Sequence, residues 1–226
     1  MNGLKQWCEN CKEIKGLHNN CPNLTNVGHQ DTEINKKYQI IYADPPWSYS
    51  NFQGKGSYFG DVSRHYSTMN ADELKKLPVK ELADENCICF MWATFPNLPQ
   101  AIDLMKEWGF RYKTVGFVWV KMKNDMSEPR GDGMGFYTLS NAEIVLIGTK
   151  GKFLRNRKDV KQIVLSPKWQ HSKKPAEVRK RIVDLCGDLP RIELFARKEN
   201  RLPMYFDDSF NGWDVWGNEV ESDITL

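Results

Sequence analysis

Asp44-Pro45-Pro46-Trp47 is the segment whose residue types at this spacing could do chemistry. Asp-Pro alone ordinarily begins a turn, and a turn needs neither a second proline nor a tryptophan. All four residues suit one task, the handling of an exocyclic aromatic amine. The lone pair of such an amine is delocalised into its ring, which makes it a poor nucleophile. A carboxylate and a carbonyl, held rigid by two prolines, accept its two N–H hydrogens and free the lone pair to face an electrophile. An indole stacks on the flat ring. The chemistry is orientation plus stabilisation of positive charge as the nitrogen becomes cationic.

A site of this kind needs a strand to end just before it. Tyr38 to Ala43 is a short, β-rich apolar run that stops at Asp44, and it reads as a buried strand. Residues 48–66, with Gly54, Gly56 and Gly60, read as a long functional loop. Asn70 and Glu73 have capping-box spacing, which predicts a short helix ending near Pro78. Cys87 to Ala93, Thr114 to Val120, Ala142 to Gly148, Val160 to Leu165, Arg191 to Ala196 and Trp213 to Trp216 read as further strands. Ala101, Ile102, Leu104, Met105 and Trp108 repeat at helical spacing and stop at Gly109. Residues 122–138 form a second Gly- and Met-containing loop. Pro175 to Cys186 is a helix with proline in its first turn and Gly187 behind it. Strands alternating with helices predict an α/β domain, residues 38–226, with a largely parallel sheet and its site at the carboxyl ends of the strands. Residues 1–37 are polar and aperiodic, an N-terminal extension.

The chain has 226 residues, 40% hydrophobic and 27% charged, as in ordinary globular proteins. Its longest apolar run, Cys87 to Ala93, is far short of the roughly 20 residues a membrane span requires. No secretory or lipidation pattern opens the chain, so a soluble cytoplasmic protein is expected, without a membrane partner. The net charge is +3, but residues 150–201 hold 16 Lys and Arg against 6 Asp and Glu. That block, with Arg155, Arg157, Lys158 and Lys161 in its first part, reads as a polyanion-binding face or as a solvated basic surface. Cys8, Cys11, His18 and Cys21 have the number and types of ligands of a structural zinc site; the alternatives are free thiols or His29 as a ligand. Cys87, Cys89 and Cys186 read as small core residues. Gly54-Lys55-Gly56 lacks the spacing and the Ser or Thr of a phosphate loop, which excludes that NTPase motif. His65 is read as a loop-ordering residue, because a cationic amine needs no dedicated base.

With these segments on the page, the chain resembles the amino-methyltransferases, and more closely the MT-A70 family of N6-adenine methyltransferases. The likeness runs from Tyr38 to about Glu219. It rests, in order, on Ile41 to Trp47, His65-Tyr66-Ser67-Thr68-Met69, Phe90-Met91-Trp92, Trp119-Val120-Lys121, Gly133 to Tyr137, Ile147 to Gly151, His171 to Pro175, Ile192 to Arg197 and Gly212 to Glu219. It implies a Rossmann-like S-adenosylmethionine-dependent methyltransferase fold in permuted order, catalytic motif first and cofactor motifs last. It implies amine binding by Asp44 and the Pro45 carbonyl, Pro46 fixing the turn, and base stacking by Trp47 with Tyr49. Cofactor contacts are implied for Lys174, Pro175, Phe195, Arg197, Asn200, Asn218 and Glu219. A cation at a helix N-terminus opposes the macrodipole, so Lys174 calls for an anionic partner such as the methionine carboxylate of the cofactor. Where the messenger-RNA enzyme of the family has His-Asn, this chain has Glu199-Asn200. The expected substrate is adenine in DNA, flipped out or single-stranded, with phosphates tracked by the basic block. RNA adenosine, cytosine N4 and a catalytically silent nucleic-acid-binding subunit are the alternatives. A monomer, a dimer or a heteromeric assembly all fit.

Overall fold

A computed structural model describes residues 36–47, 69–131, 135, 137–168, 173–197 and 210–226, together with two short strands near the N-terminus. The chain divides into two compact units, Met1–Asn35 and Lys36–Leu226. In the first, β1 (Trp7–Cys8) pairs antiparallel with β2 (Glu13–Ile14).

The second unit is built on a seven-stranded sheet. Its strands are β3 (Tyr38–Ala43), β4 (Ala83–Ala93), β5 (Arg111–Met122), β6 (Ala142–Lys150), β7 (Ile163–Pro167), β8 (Arg191–Leu194) and β9 (Trp213–Trp216). Their spatial order is β7-β5-β6-β4-β3-β8-β9. The expected α/β fold is present, with one departure from a parallel sheet: β6 runs antiparallel to both β4 and β5. The pairings of β3 with β4 and β8, of β5 with β7, and of β8 with β9 are parallel. Several strands outrun the sequence reading. β4 begins at Ala83 rather than Cys87, and β5 spans 111–122 rather than 114–120, because ladder pairing carries polar residues that apolar patterning leaves out.

The helices form where local chemistry asks for them. In α1 (Ala71–Lys76) the Asn70 side chain accepts from the Glu73 amide at 2.9 Å, and Glu73 accepts from the Asn70 amide at 2.8 Å. This closes the expected capping box. A four-residue helix, α2 (Val79–Leu82), follows. α3 (Leu98–Glu107) gives way at Gly109, whose φ of +85° suits glycine. α4 (Ala176–Cys186) starts just after Pro175, which sits at the N-cap rather than inside the first turn.

Period-two patterning divides the core between the two faces of the sheet. Ile40, Tyr42, Ile88, Phe90, Trp92, Phe117, Trp119 and Val145 pack with Val178, Ile182 and Cys186 of α4. At Gly148 of β6, the position of a side chain lies against Met105 and Phe110, which marks the α3 face. Cys87, Cys89 and Cys186 are free and buried, as expected of core residues.

Candidate active site

Because six strands run one way, the ends of β3, β4, β5, β7, β8 and β9 share one edge of the sheet with the start of β6 and the start of α4. Asp44 leaves β3 at this edge. The Trp47 amide donates to the Pro45 carbonyl at 2.8 Å, a tight turn built by the prolines. A carbonyl oxygen has two lone pairs, so that of Pro45 keeps capacity for another donor. The Trp47 indole Nε1 donates to the Trp92 carbonyl at 3.2 Å, which fixes its ring beside the turn. Two more buried polar atoms at this edge, Thr94 Oγ1 and Asn97 Nδ2, have no hydrogen-bond partner.

Asp44 belongs to a set of four linked charges. Lys174 Nζ lies 3.3 Å from Asp44 Oδ1 and donates to Glu143 Oε2 at 2.8 Å. Lys121 Nζ lies 2.7 Å from Glu143 Oε1. The Lys174 ammonium sits 5.1 Å from the centroid of Trp92, and that of Lys121 lies 5.4 Å from Trp119, both within cation–π range. The side chains of Lys121, Glu143 and Lys174 are about 15% exposed and that of Asp44 is 21% exposed, so water screens them little. Burial pushes the Asp44 carboxyl above the usual carboxylate range and the Glu143 charge adds to this, against the pull of Lys174 and Arg197. Burial acts on Glu143 in the same direction, but the ammoniums of Lys174 and Lys121 overcome it and hold its pKa near 2. Lys174 is opposed by burial and held above the ordinary lysine value by Asp44 and Glu143.

Lys121 and Glu143 were not singled out as site residues from sequence. Trp119 stands opposite Glu143 in the β5–β6 register, so Lys121, two residues on, shares its face. The readable signal is a charged residue at the end of an otherwise apolar strand. Lys174 is at the site, and two of its ammonium protons face carboxylates of the chain itself.

The exits of β8 and β9 form the other half of this edge. Phe195 has φ +63°, unusual for a bulky residue. Its half-buried ring stacks on Trp108 at 6.5 Å and meets Trp216 edge-on at 5.4 Å. The Ala196 amide donates to the Trp216 carbonyl, and the backbone of Arg197 forms a parallel β-bridge with that of Glu219. At Gly217 a Cβ would lie 2.4 Å from the Ala196 oxygen, so glycine alone allows the two exits this close. Asn218 and Glu219 follow, both exposed. An aromatic ring, an amide and a carboxylate thus follow two strand exits that run in close backbone contact. This donor set fits an adenosine-containing cofactor: the ring for the base, the polar pair for ribose hydroxyls.

The basic block divides. Lys174 and Arg197 stand at this edge. Arg155, Arg157, Lys158 and Lys161 lie between the end of β6 and the start of β7, which is the opposite edge. Glu143 to Lys150 alone spans about 23 Å of extended strand. The Lys152 amide donates to Asn86 and the Asn156 amide to Leu185, at the start of β4 and the end of α4. Arg157 is also engaged by Asp159 and Asp184. The structure therefore does not bring these four residues to Asp44. The charge balance along the chain missed this because it carries no information about which edge a loop returns to. Tyr49, His65, Asn200 and the 48–66 loop lie outside the described residues, as do the side chains of Cys8, Cys11, His18 and Cys21. Among the described residues no group of three or more His, Cys, Asp or Glu could hold a metal, and no helix is long and apolar enough to cross a membrane.

Comparison with known proteins bears on this edge directly, because the MT-A70 family pattern matches residues 38–219, from the first residue of β3 to Glu219. The chain belongs to the MT-A70 family. MT-A70 proteins are S-adenosylmethionine-dependent methyltransferases, and this one has their fold. Its similarity to the type II methyltransferase M.MunI of Mycoplasma sp. is 38% identity over 201 residues, 82% of this chain and 78% of that protein. It is 28% identical over 189 residues to a putative N(6)-adenosine-methyltransferase MT-A70-like protein of Medicago truncatula. It is 24% identical over 200 residues to the human N(6)-adenosine-methyltransferase catalytic subunit METTL3. The chain spans only 27% and 30% of the lengths of these last two.

Proposed function

We propose that this MT-A70 protein transfers a methyl group from S-adenosylmethionine to the N6 amine of adenine in DNA. The observation that carries the reading is Asp44, held at a strand end beside Lys174, with the Pro45 carbonyl next to it in a hydrogen-bonded turn. Asp44 and Pro45 accept the two amine hydrogens and orient the nitrogen lone pair, with Pro46 fixing the turn. Trp47, joined by Tyr49, stacks on the base. Against the cost of burial, Lys174 favours the ionised form of Asp44. As the amine becomes cationic, the Asp44 charge stabilises it, and the acidic product loses its proton to water.

The bound cofactor supplies an electrophilic methyl group. Phe195 would stack on its adenine, while Asn218 and Glu219 hold the ribose, with Arg197 and Asn200 beside them. Lys174, at the Pro175 helix start, has one N–H left for the methionine carboxylate. DNA is preferred to RNA because the chain is 38% identical to the type II methyltransferase and 28% and 24% identical to the two N(6)-adenosine relatives. The intact Asp44 tetrapeptide argues against a silent subunit. Such an enzyme works in the cytoplasm. Cys8, Cys11, His18 and Cys21 are proposed as a structural zinc site of the N-terminal extension.

The test is methyl transfer from labelled cofactor to duplex DNA, single-stranded DNA and RNA, followed by nucleoside analysis. N6-methyldeoxyadenosine is the expected product. Label in cytosine, or in RNA alone, overturns the assignment.

A further inference from the structure

Arg179 is an arginine on the buried face of α4, only 2% exposed. It donates twice to Glu193 of β8, from Nε and Nη2, each at 2.7 Å. Its guanidinium lies 4.0 Å from the Phe210 ring centroid and 5.4 Å from that of Tyr42. Tyr42 precedes Asp44 by two residues and stands opposite Glu193 in the β3–β8 register. Its hydroxyl accepts from Trp92 Nε1 at 2.5 Å. The Trp92 ring in turn carries the Lys174 ammonium, which faces Asp44 and Glu143. Each member thus touches the next, from a buried ion pair beneath the sheet to the carboxylate at its edge.

We infer that Tyr42 and Arg179 are positioning residues for the methyl transfer. The Arg179–Glu193 pair holds the Tyr42 ring, Tyr42 holds the Trp92 indole, and Trp92 sets the height of the Lys174 ammonium against Asp44. A buried ion pair is weak evidence for stability, since hydrophobic replacement is often neutral. The bidentate fork and the two ring faces instead give orientation, which a rigid stack transmits and an apolar contact does not. The inference rests on the reading of Asp44 as the acceptor of the amine.

The test uses Tyr42→Phe, which removes the acceptor for Trp92 Nε1 and keeps the ring. Arg179→Lys keeps the charge and loses the fork. Both are assayed after their thermal melts show a folded protein. The expected result is a drop in kcat of about tenfold, as small misplacements of a reacting group produce, with KM for the cofactor within about twofold. Competitive acetylation read by mass spectrometry supplies a readout independent of turnover. Lys174 should become severalfold more reactive in both variants. Lys150, held by the Ala83 carbonyl at the other edge, should stay unchanged. If kcat and Lys174 reactivity match wild type in Tyr42→Phe, the stack positions nothing and the inference is overturned. If Tyr42→Phe fails to fold, the same two readouts in Arg179→Lys decide. A wild-type protein that methylates no adenine overturns the reading of the site, while the acetylation result still decides the stack.

Discussion

Asp44→Asn is the sharpest perturbation of the site, because rate and stability should move in opposite directions. In the proposed reaction the amine has two acceptors, the Asp44 carboxylate and the Pro45 carbonyl. Removal of one preorganised group of this kind costs about 10²–10³ in kcat, roughly 2.7–4 kcal/mol. The introduced amide does not escape that loss. Lys174 has donors only, so it takes the amide oxygen and turns the NH₂ toward the substrate amine, donor against donor. Stability follows the opposite sign. The folded-state pKa of Asp44 is raised, first by burial and then by Glu143. Ionised Asp44 therefore costs folding free energy at neutral pH, a cost relieved as pH falls through the raised value. Asn carries no such charge, and Lys174 keeps Glu143 at 2.8 Å. The variant should melt at or above the wild-type temperature at pH 7 while transferring almost no methyl. The wild-type rate should fall on the acid side at a pH above the ordinary Asp range, and the residual rate of the variant should lack that limb. Initial rates with labelled cofactor and melts at matched pH supply both numbers. A variant within tenfold of wild type, or one clearly less stable at pH 7, would refute the reasoning.

Glu143→Gln should do the reverse. With the Glu143 pKa drawn from 4.5 to about 2, its stabilisation is present above the unfolded value and lost as pH falls from there toward 2. Urea unfolding should show a loss on the order of 2–3 kcal/mol at pH 7 that shrinks toward pH 3. Gly217→Ala must push the exits of β8 and β9 apart, since its Cβ would lie 2.4 Å from the Ala196 oxygen; cofactor affinity by calorimetry should fall by roughly 1–3 kcal/mol. Neutralising Arg155, Lys158 and Lys161 together should leave the salt dependence of DNA binding unchanged, because they stand at the far edge. A slope flattened by about 0.9 per residue would instead put DNA there. Protein purified without chelator should carry about one zinc, as a closed four-ligand site implies, and elemental analysis finding none would leave the thiols free.

Much of the architecture was legible because its causes are local. Tyr38 to Ala43 is apolar and ends at a proline pair; Asn70 and Glu73 are three residues apart; Gly109 follows the last helical apolar residue. Each needs only its neighbours to be recognised. The order of Asp44, Lys174, Phe195 and Asn218 along the chain could be read too, since each follows or precedes a recognisable element. What could not be read depends on long-range pairing. Glu143 and Lys121 meet only because β6 runs against β4 and β5. Arg179 and Glu193 were visible as charges among buried residues of a helix and a strand, but their common partner Tyr42 requires the β3–β8 register. The basic residues 155–161 were legible as charge and misleading as to place.

The reversal of β6 sets the charge balance of the edge proposed as catalytic. It brings the first residues of the strand, with Glu143, beside Lys121 and Lys174, and sends Lys150 to the opposite edge, where carbonyls of Lys80 and Ala83 accept its protons. Were β6 parallel to its neighbours, its last residue would arrive at the site instead. A third ammonium would then face Lys121 and Lys174 with Asp44 as their one counter-charge. Three cations around one half-buried carboxylate repel a nitrogen that is turning positive. With Glu143 in place the four side chains sum to zero, and Lys174 is satisfied largely by the closer carboxylate. Asp44, at the longer 3.3 Å, keeps lone pairs for the substrate. The strand that departs from the parallel pattern is thus the one that leaves the Asp44 carboxylate with lone pairs for the amine it is proposed to bind.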